Sequence, residues 1–209
     1  MTADPRFWDG IAEQYSKKPV DDPEAFERKI AVTHALMRPE HVVLDIGCGT
    51  GSLALRLAPH AREVHGLDVS PEMMRIANGK ASAAGIGNVT FHTGPFDDSV
   101  SFAPASLDGI CAYSLLHLVD DAREALDRIH GLLKPGGFFV SSTVCLGDSW
   151  VPYGPMLAVM RWVGKAPMVR RLRQEALLDE MRAAGFEGLE RPDVGAAPSI
   201  LFAVARKPV

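Results

Sequence analysis

Cysteine is scarce. Cys48, Cys111 and Cys145 are the only three in 209 residues. They are widely spaced and form no CxxC pair, which excludes a disulfide framework and argues against a zinc site; no metal is expected. Each sits in an apolar or glycine-rich run, where buried free thiols are common in a reducing cytoplasm. No sign of charge dominates either. Lys and Arg number 22 against 26 Asp and Glu, a formal net charge of −4, so nothing pulls the chain globally toward nucleic acid or anionic lipid. Long hydrophobic runs are missing as well. The most apolar stretch, Trp150 to Val163, holds Pro152, Pro155 and Arg161 and falls short of the roughly 20 residues that span a bilayer. The segment Met1 to Gly10 has no basic region and no apolar core, so no secretory signal is read there and a cytoplasmic location is expected. There is no internal repeat and no low-complexity tract. With 47% hydrophobic and 23% charged residues, the composition is that of a globular chain and excludes disorder, collagen or coiled coil as the main theme.

What is present is alternation. His41–Gly47 is apolar, β-branched and ends in glycine: a buried strand. Ser52–Ala58 reads as helix and Glu63–Asp68 as a second strand. Ser70-Pro71-Glu72 is a helix start, with serine as N-cap, proline at the first helical position and glutamate near the positive end of the dipole. Val89–Thr93 and Leu107–Tyr113 are further strands. Asp120 and Asp121 open a helix whose apolar positions, Ala122, Ala125, Leu126, Ile129, Leu132 and Leu133, recur at helical spacing. Lys134-Pro135-Gly136-Gly137 reads as the turn that ends it, before a strand over Phe138–Val144. Glu175–Ala184 is a helix closed by Gly185, and Ser199–Arg206 a last strand. Strands without polar alternation are buried on both faces. The pattern therefore predicts an α/β fold, a doubly wound parallel sheet with helices on both faces. Two segments stand outside it, Asp4–Met37 and Leu146–Arg173. In such a sheet ligands bind beyond the carboxyl ends of the strands, so segments hung from that edge are candidate lids or substrate walls.

The first strand runs into Asp45-Ile46-Gly47-Cys48-Gly49-Thr50-Gly51. The dinucleotide fingerprint asks for GxGxxG, whereas this loop is GxGxG, with Ser52 where the third glycine belongs. Asp45, just ahead of the loop, would repel a pyrophosphate and suits a cationic amino group. No Gly-Lys-Ser/Thr follows, which removes the P-loop reading. Asp68, at the end of the second strand, can accept both hydroxyls of a ribose. Such a site asks for a nucleoside with a positive amino-acid end and no phosphate, a description that S-adenosylmethionine meets.

Val43–Gly51 (VLDIGCGTG) resembles the first motif of the class I S-adenosylmethionine-dependent methyltransferases. The resemblance continues through GLDVSPEMM at Gly66–Met74, LDGI at Leu107–Ile110, LHLV at Leu116–Val119 and LKPGG at Leu133–Gly137. It covers roughly Val42 to Val144 and is similar in tone to the small bacterial ubiquinone/menaquinone-type methyltransferases. It implies a Rossmann-like, mostly parallel seven-stranded sheet whose last strand is antiparallel. It also implies S-adenosylmethionine as cofactor. Asp45, Gly47, Cys48, Gly49 and Gly51 would hold its methionine end and Asp68 its ribose. Val69 and Met73 would flank the adenine, Gly94, Pro95 and Phe96 would line the adenine pocket, and Tyr113 and Ser114 would lie beneath the cofactor. Many relatives carry Gly-Asp after the third strand, where this chain has Gly94-Pro95-Phe96-Asp97. Either Asp97 reaches the adenine amino group or Phe96 packs on the ring.

The resulting organisation is one methyltransferase domain over 1–209, with N-terminal lid helices (1–37), a cofactor-binding core (42–144), a substrate-cap insertion (146–173) and a C-terminal helix and strands (174–209). His117, between a strand end and a helix, is the candidate catalytic residue, as a proton acceptor or substrate contact. The other reading is that it closes the turn. Phe7, Trp8, Ile11 and Tyr15 share one helix face, placing Trp8 and Tyr15 either in core packing or over the site. Met160, within the methionine- and tryptophan-rich insertion, is the third candidate substrate contact. That insertion either caps a small, largely apolar acceptor or covers a sheet edge as a dimer contact, which keeps a homodimer open. It lacks the basic-aromatic stripe that single-stranded nucleic acid needs. The expected activity is methyl transfer to a small molecule by direct in-line attack. The alternative is a catalytically weak S-adenosylmethionine-binding partner subunit.

Overall fold

A computed structural model describes residues 5–97, 102–149 and 169–209. Two helices come first, α1 (Pro5–Lys17) and α2 (Pro23–Leu36). The alternating part follows: β1 (Val42–Ile46), α3 (Ser52–Leu57), β2 (Glu63–Asp68), α4 (Pro71–Ala83), β3 (Val89–Thr93), β4 (Leu107–Tyr113), α5 (Ala122–Leu132) and β5 (Leu133–Val144). Then come α6 (Gln174–Ala183), β6 (Glu187–Glu190) and β7 (Ile200–Arg206). The strands form one seven-stranded sheet in the order β3-β2-β1-β4-β5-β7-β6. The first five run parallel, and β7 is antiparallel to both β5 and β6.

Strand alternation sends side chains to two faces, and each face has its own core. Val42, Leu44 and Ile46 of β1 point to the side covered by α5 and α6, where they join Leu126, Ile129, Leu177 and Met181. Val43 points to the other side, against Ile30 of α2 and Leu53 and Leu57 of α3. Asp45 has the parity of Val43 and so lies on the α2/α3 face, wholly buried. The helix starts behave as their sequences demand. The Ser70 hydroxyl accepts from the Met73 amide at 3.1 Å, and Asp121 accepts from the amides of Arg123 (2.8 Å) and Glu124 (3.2 Å).

Two expectations need correcting. Lys134–Gly137 does not end α5 as a free turn. It belongs to β5, which pairs with β4 from Leu133 opposite Leu107, with a register irregularity before Gly109 meets Phe138. The glycine there serves the strand: Gly136 takes φ +77° and its amide donates to the Lys207 carbonyl at 3.0 Å. The second concerns the seventh strand that the resemblance implies: it is the short edge strand β6, which no local sequence pattern marks. The proposed cap is largely out of reach, since residues 150–168, Met160 among them, lie outside the described residues.

Helix α1 lies on α4. Ala12 packs with Met73, Met74 and Ala77, with Trp8 and Ile11 alongside. Asp9 fixes the contact, accepting from the Ser70 hydroxyl at 2.5 Å and the Glu72 amide at 3.2 Å. The N-terminal helix is thereby joined to the turn that follows β2.

Candidate active site

The carboxyl ends of β1, β2 and β4 open into a cavity of about 350 Å³, a volume suited to a small ligand. Its wall includes Gly47 and Gly49 after β1, Asp68 and Val69 after β2, Gly94 and Phe96 after β3, and Tyr113, Ser114 and His117 after β4. Met73 closes it from α4, while Trp8 and Tyr15 close it from α1. The structure thus gathers most of the predicted residues around one space. Pro95 and Gly51 line neither this cavity nor the neighbouring one, and Asp45 and Cys48 line the neighbour instead. Asp97 is absent from the lining while Phe96 is in it, with the Arg128 guanidinium 5.1 Å from its ring centroid.

The glycines divide by task. A Cβ on Gly49 would meet only Tyr15 Cε1, at 3.6 Å, so the space over this residue is open to a ligand. A Cβ on Gly51 would lie 2.7 Å from Phe91 Cζ and 3.0 Å from Ala77 Cβ. Gly51, with φ +78°, therefore serves the turn into α3 and its packing. Ser114, just after β4, takes the left-handed region (φ 55°), an uncommon conformation for a residue with a side chain, and its amide donates to the Ser142 carbonyl at 2.7 Å.

The carboxylates are held differently. Asp68 receives the Gly49 amide on Oδ2 and the Ser70 amide on Oδ1, both at 3.0 Å. Burial raises its pKa, and these amides work against the rise. Asp45 is 1% exposed and its Oδ2 has no partner. Burial pushes its pKa from 3.8 up to about 8, with only the Ala54 amide opposing. An unpaired buried carboxyl group at the mouth of a ligand loop awaits a donor or a cation. Burial also pushes the Cys48 thiol well up, which keeps it protonated and makes it a packing residue rather than a nucleophile.

His117 is 8% exposed and its Nδ1 is unpartnered. Burial lowers its pKa to about 4, so the ring is neutral at physiological pH. Its carbonyl accepts from the Arg170 amide at 2.8 Å, which ties the returning end of the insertion to the loop after β4. Around it Leu115, Leu118, Val119 and Val169 make an apolar wall. Among the described residues no Lys or Arg lines this cavity. Among the described residues no group of His, Cys, Asp and Glu could hold a metal, and no helix is long and apolar enough to cross a membrane.

One residue went unnoticed in the sequence. Lys29, on α2, is 8% exposed and donates to Ser142 Oγ at 2.9 Å in a second cavity behind Tyr15, Gly47, Tyr113 and Ser114. Its neighbours Glu24, Glu27 and Arg28 make the segment read as a solvated charged face, so no sequence signal marks it.

Comparison with known proteins now bears on this geometry. A family model described as a methyltransferase domain matches residues 43–137. The uncharacterized methyltransferase YcgJ of Bacillus subtilis is 34% identical over 61% of this chain and 48% of its own length. Its crystal structure superposes with a TM-score of 0.71 at 20% identity, covering 88% of this chain and 99% of that one. The O-methyltransferase cnsE of Penicillium expansum is 30% identical over 90% of this chain and 66% of its own length. A phosphoethanolamine N-methyltransferase 2 of Haemonchus contortus in complex with S-adenosyl-L-methionine has the same fold, with a TM-score of 0.72 at 19% identity, over 88% of this chain and 53% of that one. The chain spans between about two fifths and two thirds of the length of these curated relatives.

Proposed function

The chain belongs to the class I S-adenosylmethionine-dependent methyltransferase family, and from that premise we propose that it binds S-adenosylmethionine in the larger cavity and methylates a small, largely apolar acceptor. The observation that carries the reading is the charge of the seat. Asp68 lines the larger cavity and Asp45 the adjoining one, at the ends of neighbouring strands around an open glycine loop, and among the described residues no Lys or Arg lines the larger cavity. A pyrophosphate would meet carboxylates there, whereas a nucleoside with an ammonium end meets its complement.

The residues fit the cofactor one by one. Gly49 leaves room for its methionine end, Gly47 being packed against Leu115, and the buried Asp45 carboxyl group answers the ammonium. Asp68, fixed by two amides, is set to accept from the ribose hydroxyls. Val69, Met73, Gly94 and Phe96 offer an apolar slot to the adenine, and Tyr113 and Ser114 floor the site. When bound, S-adenosylmethionine supplies a sulfonium methyl group to a nucleophile that approaches in line with the departing sulfur. The protein's part is to hold two reactants in that line and keep water out. Leu115, Leu118, Val119 and Val169, with Trp8 and Tyr15 of α1, line the same cavity and favour an apolar acceptor. The test is binding. Asp68→Ala is expected to cost about 1.5–3 kcal/mol of S-adenosylhomocysteine affinity by calorimetry, the range for hydrogen bonds to a charged group; unchanged affinity would remove Asp68 from the site.

His117 takes the acceptor's proton where one must leave. Its ring is neutral down to about pH 4, so the accepting form is present throughout the neutral range. Because a base of such low pKa is a weak one, its value lies in its position against the acceptor. With an acceptor drawn from small-molecule pools, His117→Ala is expected to slow turnover roughly 10²–10⁴-fold with S-adenosylhomocysteine affinity unchanged. The acid limb of the native rate should fall near pH 4 rather than near 6.5. A drop of less than about fivefold would show that positioning alone carries the rate.

A further inference from the structure

Helix α4 begins at Pro71, which has no amide, so Glu72 and Met73 bring the first free donors of the helix. The Met73 amide goes to the Ser70 hydroxyl and the Met74 amide to the Ser70 carbonyl, each at 3.1 Å. The Glu72 amide finds its acceptor 63 residues earlier in the chain, in Asp9 Oδ1 of α1, at 3.2 Å. The same oxygen accepts from the Ser70 hydroxyl at 2.5 Å. Asp9 therefore completes the cap of a helix to which it does not belong.

Ser70 is wholly buried and works in both directions. Its hydroxyl holds Asp9, and its amide donates to Asp68 Oδ1 at 3.0 Å. The Gly49 amide holds Asp68 Oδ2 from the other side, also at 3.0 Å. One anchor of Asp68 is thus the glycine loop, and the other is a turn that Asp9 fixes. Other ties between α1 and α4 stay on the helices. Ala12 packs with Met73, Met74 and Ala77. Arg75 bridges Glu13 and Glu72 at the surface, where ion pairs add little. Asp9 lines neither cavity, whereas Trp8, its neighbour in the chain, and Tyr15 line the larger one.

We propose that Asp9 is a positioning residue for the cofactor: through Ser70 it aims Asp68 at the ribose hydroxyls, and it registers Trp8 and Tyr15 against that seat. The proposal rests on the cofactor reading above. Two effects of Asp9 oppose each other. Its hydrogen bonds order the turn that holds Asp68. Its charge, secondary to burial, disfavours the ionised form of Asp68. Asparagine keeps the acceptor oxygen and drops the charge; alanine drops both.

The experiment is calorimetric binding of S-adenosylhomocysteine to the native protein, to Asp9→Ala, Asp9→Asn and Asp68→Ala, and to the Asp9→Ala/Asp68→Ala double variant, with thermal unfolding of each. Asp9→Ala is expected to weaken binding about three- to tenfold, and Asp9→Asn to bind within about twofold of the native protein or tighter. In the Asp68→Ala background the Asp9→Ala change is expected to cost less than about twofold, since the residue it positions is gone. Ser70→Ala breaks the same link from the other side and should repeat the Asp9→Ala loss, which keeps the test in force if Asp9→Ala does not fold. Glu13→Ala loosens α1 from α4 without touching Ser70 and should leave the affinity native. Additive losses in the double variant overturn the proposal, as does a loss in Glu13→Ala equal to that in Asp9→Ala, because either reduces Asp9 to a prop for α1. Unchanged affinity in Asp9→Ala and Ser70→Ala overturns it as well. Failure of the native protein to bind S-adenosylhomocysteine overturns the cofactor reading and the proposal with it; native binding with any of the other contrary results overturns the proposal alone.

Discussion

Asp45→Asn is expected to stabilise the free protein at neutral pH while removing most of its affinity for S-adenosylhomocysteine. Burial holds the folded carboxyl group near pKa 8 against 3.8 for the exposed one. At pH 7 the unfolded chain is ionised at this residue and the folded chain is not, which penalises folding by about 4 kcal/mol. Asparagine keeps an oxygen for the Ala54 amide and carries no such penalty. The sign can be read from pH. A raised carboxyl pKa contributes stability that is full below pH 3.8 and is lost as pH rises through 8. His117 acts the other way: its pKa falls from 6.5 to about 4, so its contribution is full above 6.5 and is lost as pH falls through 4. The two offset each other between about pH 4 and 6.5, and above 6.5 Asp45 acts alone. Asp68, also raised by burial, adds in the same direction as Asp45. Urea unfolding should therefore show the native protein losing stability between pH 6.5 and 8, and Asp45→Asn losing much less. Equal stability of the two proteins at pH 7 would mean that Asp45 is not held neutral in the free state.

Gly49→Val is expected to abolish S-adenosylhomocysteine binding in a protein that still folds, and Gly51→Val to damage the fold itself. Both glycines have positive φ, +53° and +78°, and a side chain in that region costs about 1–2 kcal/mol. Beyond that strain, the Gly49 position faces open space apart from the Tyr15 ring. A Cβ on Gly51 would meet Phe91 at 2.7 Å and Ala77 at 3.0 Å, and overpacking adds about 1–3 kcal/mol. Thermal unfolding beside a binding titration separates the two. A folded Gly49→Val protein with native affinity would place the cofactor somewhere other than this loop.

How far the sequence could be read depends on the signal each part carried. β1 is an apolar run that ends in a glycine loop, β2 ends on Asp68 just before a helix start, β4 is largely apolar, and α4 and α5 carry side-chain caps that form as written, so their positions were plain. β6 is Glu187-Gly188-Leu189-Glu190, with one apolar side chain. It exists because β7 offers it an edge, a tertiary cause without a local trace. The start of β5 was hidden by Pro135-Gly136-Gly137, which elsewhere would end a helix and here bends a strand. Asp45 could be singled out because it interrupts an otherwise apolar strand just before the loop. Its burial, and the orphaned oxygen that follows from it, came only from the helices laid over that face. Lys29 had no such contrast. Three charged neighbours disguise it, and only the docking of α2 on β4 and β5 turns it inward.

The central claim is that the seat beside β1 and β2 is made for a nucleoside with a cationic amino-acid end. It is tested most directly by titrating the protein with S-adenosylhomocysteine and with NAD at pH 7, in buffers of different ionisation enthalpy. The account predicts that S-adenosylhomocysteine binds and releases close to one proton per site, because Asp45, neutral in the free protein, must ionise against the ammonium. Tighter binding of NAD, or binding of S-adenosylhomocysteine with no proton released, would contradict it.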